Sequence, residues 1–226
     1  MLAEGGTLPF DLPRMVRLIQ HAVKPYPKAA MFELAARGYT STFEQLVACI
    51  ISIRTRDEVS LPVAEQLFRV ARTPADVAVL DVTRIDQLIG ASTFHRAKAA
   101  QIHQLASRLV REHGGQLPCD EALMRSFPGV GPKCAHLTLG VACREPFISV
   151  DVHVHRVTNR WGLVRATTPE QTMDALASVL PRRYWIEINA LLVPFGKHVC
   201  TARLPRCGSC PILSYCRQLG VRAWRN

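Results

Sequence analysis

The apolar residues of this chain recur at helical spacing almost throughout, and no segment alternates as a half-buried strand must. Leu12, Met15, Val16, Ile19 and Val23 trace one face of a helix, and Phe43, Leu46, Val47, Ile50 and Ile51 trace a second. Ile102, Leu105, Leu109 and Val110 form a later stripe, as do Tyr184, Ile188, Leu191, Leu192 and Phe195. The pattern predicts an all-α chain of nine to eleven helices. With 226 residues, it can build one large domain or two small lobes. A hydrophobic share of 48% against 20% charged excludes a disordered chain. No apolar run approaches the roughly 18 residues of a membrane span, and the opening residues lack the charged-then-apolar order of a signal peptide. The expectation is a cytoplasmic protein with no membrane partner.

Local punctuation agrees with the periodicity. Ser41 followed by Glu44 has the spacing of a capping box, Lys24-Pro25-Tyr26-Pro27 ends the first helix, and His113-Gly114-Gly115 ends the one containing Leu109. Lys and Arg outnumber Asp and Glu by 28 to 18, a net charge of +10, which favours a polyanionic partner. No acidic residue follows Glu187, whereas Lys197, Arg203, Arg206, Arg217, Arg222 and Arg225 all do.

Residues 127–133 read Phe-Pro-Gly-Val-Gly-Pro-Lys between two helical stretches. Gly129 and Gly131 permit positive φ and close backbone approach, and Pro132 suits the first turn of a helix. The motif predicts a helix, a tight hairpin and a second helix whose open amino end can receive a phosphate, although an ordinary corner between helices has the same sequence. Lys133 falls in that first turn, where the helix dipole opposes its charge, and burial there would favour a neutral, nucleophilic amine. A solvated surface lysine is the plainer alternative. Asp151, in Ser-Val-Asp-Val-His-Val-His-Arg-Val (149–157), precedes an apolar helix and can cap it, act on a nearby water or amine, or do both. His153 and His155 are read as exposed or capping residues.

The eight cysteines divide unevenly. Cys49, Cys119, Cys134 and Cys143 are scattered and are read as buried or incidental thiols. Cys200, Cys207, Cys210 and Cys216 form a C-x6-C-x2-C-x5-C loop in a tail with too little apolar sequence for a core of its own. A structural zinc site prefers two close pairs and this loop has one, so a four-cysteine [4Fe-4S] cluster fits better than zinc, with two disulfides a third possibility.

Taken in order, the Pro-Gly-Val-Gly-x-Lys hairpin, the Val-Asp-x-His-Val-x-Arg-Val segment and the cysteine loop resemble the endonuclease III family of helix-hairpin-helix DNA glycosylases, from about Ser41 to Cys216. The resemblance implies a two-lobed all-α fold: a helical barrel at 35–145 carrying the hairpin, and a discontinuous iron–sulfur domain from 1–34 and 146–226, with a DNA cleft between them. It implies a monomeric base-excision repair enzyme at the nucleoid, acting on double-stranded DNA that contains a damaged base or abasic site. Lys133 would attack the sugar, Asp151 would assist, and Gly129, Val130 and Gly131 would hold the DNA backbone. The four loop cysteines would ligate the [4Fe-4S] cofactor. Arg54 stands where the family has a glutamine that fills the gap left by the flipped base, and one of Thr93, Phe94 and His95 would be a second wedge. Pro132 and Cys134 replace the usual Arg and Thr beside the lysine, and Pro62 interrupts a helix, which is expected to start late or kink. The presence of Lys133 implies a glycosylase with lyase activity on oxidised pyrimidines. A glycosylase for an alkylated base, an oxidised purine or a mismatched thymine is the first alternative. A non-enzymatic DNA-binding or redox-sensing protein is the second, and it would need neither Lys133 nor Asp151.

Overall fold

The structure, a computed structural model, describes residues 10–226. Its regular elements are helical: α1 (Leu12–Val23), α2 (Ala30–Ala36), α3 (Thr42–Ser52), α4 (Asp57–Val70), α5 (Pro74–Ala78), α6 (Val82–Ile89), α7 (His95–His113), α8 (Glu121–Arg125), α9 (Pro132–Ala142), α10 (Val152–Trp161), α11 (Pro169–Val179) and α12 (Glu187–His198). Two single-turn 3-10 helices lie at Arg182–Tyr184 and Leu213–Tyr215, and there is no strand among the described residues. The twelve α-helices among the described residues exceed the expected nine to eleven because α5 and α8 have five residues each, too few to register as an apolar period.

The described residues divide into two compact units, Ala30–Phe147 and a second built from Ile148–Asn226 with residues 10–29. The first unit is organised around α3. Ser41 caps it through the reciprocal bonds with Glu44, and from Phe43 to Ile51 every residue is buried. A helix buried on all sides must be wrapped, and α2, α4, α7 and α9 pack around it. Ile102, Leu105 and Leu109 of α7 enter this core, but Val110, expected with them, is 42% exposed. Helix α7 ends where Gly114 takes φ +58 and donates its amide to Leu109. Helix α4 does not start late at Pro62. It starts at Asp57 and runs through Pro62, which is exposed and lacks the N–H that would bond to Glu58.

In the second unit α10 and α1 each pack against α12. Met15, Ile19, Trp161, Leu192 and Phe195 are almost completely buried there. Each such side chain contributes about 1.5–3 kcal/mol relative to exposure. Ile212 and Tyr215 of the cysteine tail join the same core, so the tail is not an appendage.

The four scattered cysteines are not incidental thiols. Cys49 of α3 is bonded to Cys134 of α9, and Cys119 is bonded to Cys143, the C-cap of α9. The sequence reading treated them singly, because partners 85 and 24 residues apart meet only through the packing of α9 on α3 and the return of the hairpin.

Candidate active site and cysteine loop

The hairpin is built by short-range rules. Asp120 caps α8 by accepting the Leu123 amide at 3.0 Å. After α8 the chain reverses through Gly129 at φ +78, a conformation that disfavours any side chain. A Cβ on Gly129 would also lie 2.7 Å from Gln101 Nε2. Val130 turns inward and is buried, its amide donating to the Phe127 carbonyl at 3.1 Å. Gly131 is the N-cap of α9 and has no side chain to bond the first amides, while Pro132 occupies the first turn. The positive end of α9 is therefore open beside Lys133, whose side chain is half-buried.

The second helix of the hairpin is fastened at several points. His136 pairs with Glu121 at 3.0 Å and lies 4.8 Å from the Phe147 ring. Arg108 donates to Ser126 Oγ at 2.9 Å and covers Phe127. The Cys119–Cys143 bond closes the base of the motif. Glu145 brings a carboxylate oxygen within 4.8 Å of these sulfurs, but sulfurs bonded to each other are not thiolate ligands.

Two turns of the same unit carry the candidate wedge residues. Arg54 has φ +54 and Phe94 has φ +59, left-handed conformations that cost a side-chain-bearing residue about 1–2 kcal/mol each. Both side chains are exposed, and the Arg54 guanidinium stands 6.0 Å from the centre of the Phe94 ring. Of the three candidates in the second loop, Thr93 and Phe94 are exposed, while His95 is turned aside to pair with Asp86. Thr93 donates its amide to Thr55 Oγ1 at 3.1 Å, joining the two turns.

In the other unit Asp151 is the N-cap of α10. Its Oδ1 accepts the amides of His153 and Val154, both at 2.9 Å. The segment before it is held by Asn189 of α12, which donates to the Ser149 carbonyl at 3.3 Å. His153 and His155 are half-buried, not exposed: His155 Nδ1 lies 2.6 Å from Thr172 Oγ1, and Arg156 donates to His153 Nδ1. Arg156 also donates to the carbonyls of Gly196 at 2.8 Å and Cys200 at 3.2 Å. One turn later Arg160 donates to Thr201 and Ala202 at 2.7 and 2.9 Å. These arginines bolt α10 to the start of the cysteine loop. Arg156 stands in the Val-Asp-x-His-Val-x-Arg-Val segment, but nothing in the sequence marked it for this bonding, and Arg160 reads as a surface charge.

Cys200, Cys207, Cys210 and Cys216 are free of disulfides and line one small pocket with Arg160, Ile212 and neighbouring apolar residues. Burial pushes the Cys210 thiol up to about 12 and Cys216 to about 11, and also raises Cys207; the neighbouring cysteines add to each shift. Four thiolates at this spot therefore need a compensating cation. Donors are already aimed at them: Arg160 reaches Cys200 Sγ at 3.5 Å and the Gln218 amide reaches Cys216 Sγ at 3.4 Å. Gln218 Nε2 is buried with no conventional acceptor and lowers the Cys207 thiol. A sulfur-rich, electron-dense group suits such donors, and the residues fit a four-cysteine metal cluster.

Comparison with known proteins agrees with this geometry. Residues 47–182 match the family described as HhH-GPD superfamily base excision DNA repair protein. Endonuclease III of Thermotoga maritima is 37% identical over 190 residues, 83% of this chain and 89% of that protein. Endonuclease III of Escherichia coli K12 is 34% identical over 179 residues, 79% of this chain and 85% of that protein. A solved endonuclease III–DNA covalent intermediate, trapped as an estranged-adenine complex, matches with a TM-score of 0.76 at 28% identity, over 93% of this chain and 97% of that one. A hairpin with a lysine in its second helix, a four-cysteine loop, and relatives aligned over most of the length lead to one conclusion: the chain belongs to the HhH-GPD superfamily of base excision DNA repair proteins, in its endonuclease III branch, and is a DNA glycosylase of that family.

Proposed function

We propose that this protein removes oxidised pyrimidines from double-stranded DNA and then cleaves the resulting abasic site, using the Lys133 amine for both steps. The observation that carries the proposal is Lys133 itself, a half-buried primary amine in the first turn of α9, next to a hairpin whose amino end is open. An amine there attacks the sugar C1′. The damaged base departs with the electron pair of the glycosidic bond and takes up the proton that the attacking nitrogen gives up; the resulting aminal then opens, the C1′–O4′ bond breaking as O4′ takes up a proton, to leave an iminium between Lys133 and the ring-opened sugar. Loss of a proton from C2′ then expels the 3′ phosphate by β-elimination. Gly129, Val130 and Gly131 bind the backbone of the damaged strand through the positive end of α9. Asp151 supplies the negative charge that favours positive charge at C1′, or accepts a proton. Arg54 fills the gap left by the extruded nucleotide, with a second wedge residue from Thr93, Phe94 and His95, of which the exposed Phe94 is the best placed.

Cys200, Cys207, Cys210 and Cys216 would hold a [4Fe-4S] cluster, whose bonds to sulfur staple the basic tail to the core. The protein acts as a monomer on DNA at the nucleoid, in line with its net charge of +10.

Borohydride in the presence of abasic-site duplex tests the amine. Covalent capture is expected for the native protein and lost in Lys133→Gln, with duplex affinity nearly intact. Undiminished capture in Lys133→Gln would assign the chemistry to another amine and overturn the proposal. A panel of single-lesion duplexes, covering an oxidised pyrimidine, an oxidised purine, an alkylated purine and a mismatched thymine, fixes the substrate class.

A further inference from the structure

Lys98, in the first turns of α7, is only 4% exposed. Lysines are almost never buried this deeply without an acidic partner, yet each partner of this one is neutral. Its Nζ donates to the carbonyls of Ile51 at 2.6 Å and Ile53 at 2.8 Å, and to Thr55 Oγ1 at 3.1 Å. Three donors meet three acceptors, the full complement of an ammonium group. The acceptors surround the carboxyl end of α3, where carbonyls lack intrahelical partners and the helix dipole favours a positive charge. Burial still opposes that charge and pushes the lysine down to about 8. A methionine would fill the same space without this cost, so core packing alone does not account for the amine.

The three bonds converge on one object, the turn that carries Arg54. Ile53 precedes Arg54, Thr55 follows it, and Arg54 itself stands at φ +54. The second turn opens α7, with the Lys98 backbone amide donating to the Phe94 carbonyl at 3.1 Å as the ordinary first bond of the helix. Thr55 Oγ1 closes the connection by accepting both Lys98 Nζ and the Thr93 amide. Two left-handed, exposed residues are thus braced by one buried cation.

We infer that Lys98 is a positioning residue for base excision, holding the Arg54 and Phe94 turns as one rigid unit against the DNA. The inference rests on the reading above that Arg54 enters the gap in the duplex. Lys98 touches no DNA. It fixes the backbone from which Arg54 and Phe94 project, so that neither must be ordered when the nucleotide is extruded.

The test is single-turnover excision of one oxidised pyrimidine from duplex DNA by Lys98→Met, Arg54→Ala and the double variant. Cleavage of a single-stranded abasic oligonucleotide, which presents no opposite strand, is measured beside it. Lys98→Met should slow duplex excision about tenfold while single-stranded cleavage stays within about twofold of the native rate, and its loss should largely vanish in the Arg54→Ala background. Lys98→Arg, which keeps charge and donors, should recover most of the rate. If Lys98→Met gives no folded protein, Thr55→Val removes the shared hydroxyl at equal volume and should slow duplex excision selectively in the same way. Additive losses in the double variant, or equal slowing on both substrates, would overturn the inference while leaving Arg54 in its role. No effect of Arg54→Ala on duplex excision would instead remove the reading on which the inference stands, and the inference with it.

Discussion

In the wedge role proposed for it, Arg54 limits what the chain can recognise on the opposite strand. An arginine side chain only donates, through a fixed fork that suits the O6 and N7 acceptors of guanine. Excision should therefore depend on the opposite base, with guanine preferred over adenine, and Arg54→Gln should flatten that profile when all four pairings are measured. An unchanged profile would make Arg54 a backbone contact. Lys98 gives a prediction about pH. Its pKa falls from the usual 10.5 in the unfolded chain to about 8 in the folded protein, because burial disfavours the ammonium. The unfolded chain then binds more protons between those values, so this group's contribution to stability is fully present above 10.5 and is lost as pH falls through 8. Denaturant midpoints should climb across that window, and climb less in Lys98→Met. The two residues were not equally legible in the sequence. Arg54 could be picked out by its place in a motif, whereas Lys98 sits in an ordinary helical stretch, and only the approach of α7 to the end of α3 buries it.

Helix limits were the most readable level of organisation, because capping is local. Ser41 with Glu44, Pro132 in the first turn of α9 and Asp151 before α10 all occupy the positions that their neighbours in sequence imply. Pro62 shows the opposite case: the buried Val63, Ala64, Leu67 and Phe68 hold α4 helical across a residue that should interrupt it. Packing overrides propensity there at a cost. Pro62→Ala restores an N–H toward Glu58 on an exposed face and should stabilise the protein by roughly 1–3 kcal/mol, read as a higher melting temperature in calorimetry. A lower one would mean that the ring itself packs favourably. In α10, truncating Arg160 to leucine leaves the Thr201 and Ala202 carbonyls without their charged donor. That bonding is worth on the order of 1.5–3 kcal/mol, so with the proposed cluster bound Arg160→Leu should lose it faster on exposure to air, followed as loss of visible absorbance. Native-like retention would show that the cysteines hold the loop unaided.

Across the whole molecule, charge is the property that acts at greatest range. The net +10, with six basic and no acidic residues after Glu187, predicts binding driven by counterion release. Log affinity for an undamaged duplex should fall against log salt with a slope of several units, and neutralising Arg222 and Arg225 together should reduce that slope by about 1 to 2. A slope unaffected by those changes would place the tail away from the phosphates. Composition alone pointed to this polyanionic partner. It could not say which cysteines would pair, since Cys49 and Cys134 come from stretches that read as unrelated helices until α9 is laid against α3.

The Cys119–Cys143 bond makes the hairpin a closed ring in the topological sense, with α8, the reversal at Gly129 and α9 strung along its circumference. A ring can be cut once without coming apart. A protease that nicks the exposed chain at Pro128 or Gly129 should leave one species on a non-reducing gel and two after reduction, and the nicked protein should keep its α9 seated through Cys49. Two fragments without reductant would mean that neither Cys119–Cys143 nor Cys49–Cys134, which also spans the nick, is closed.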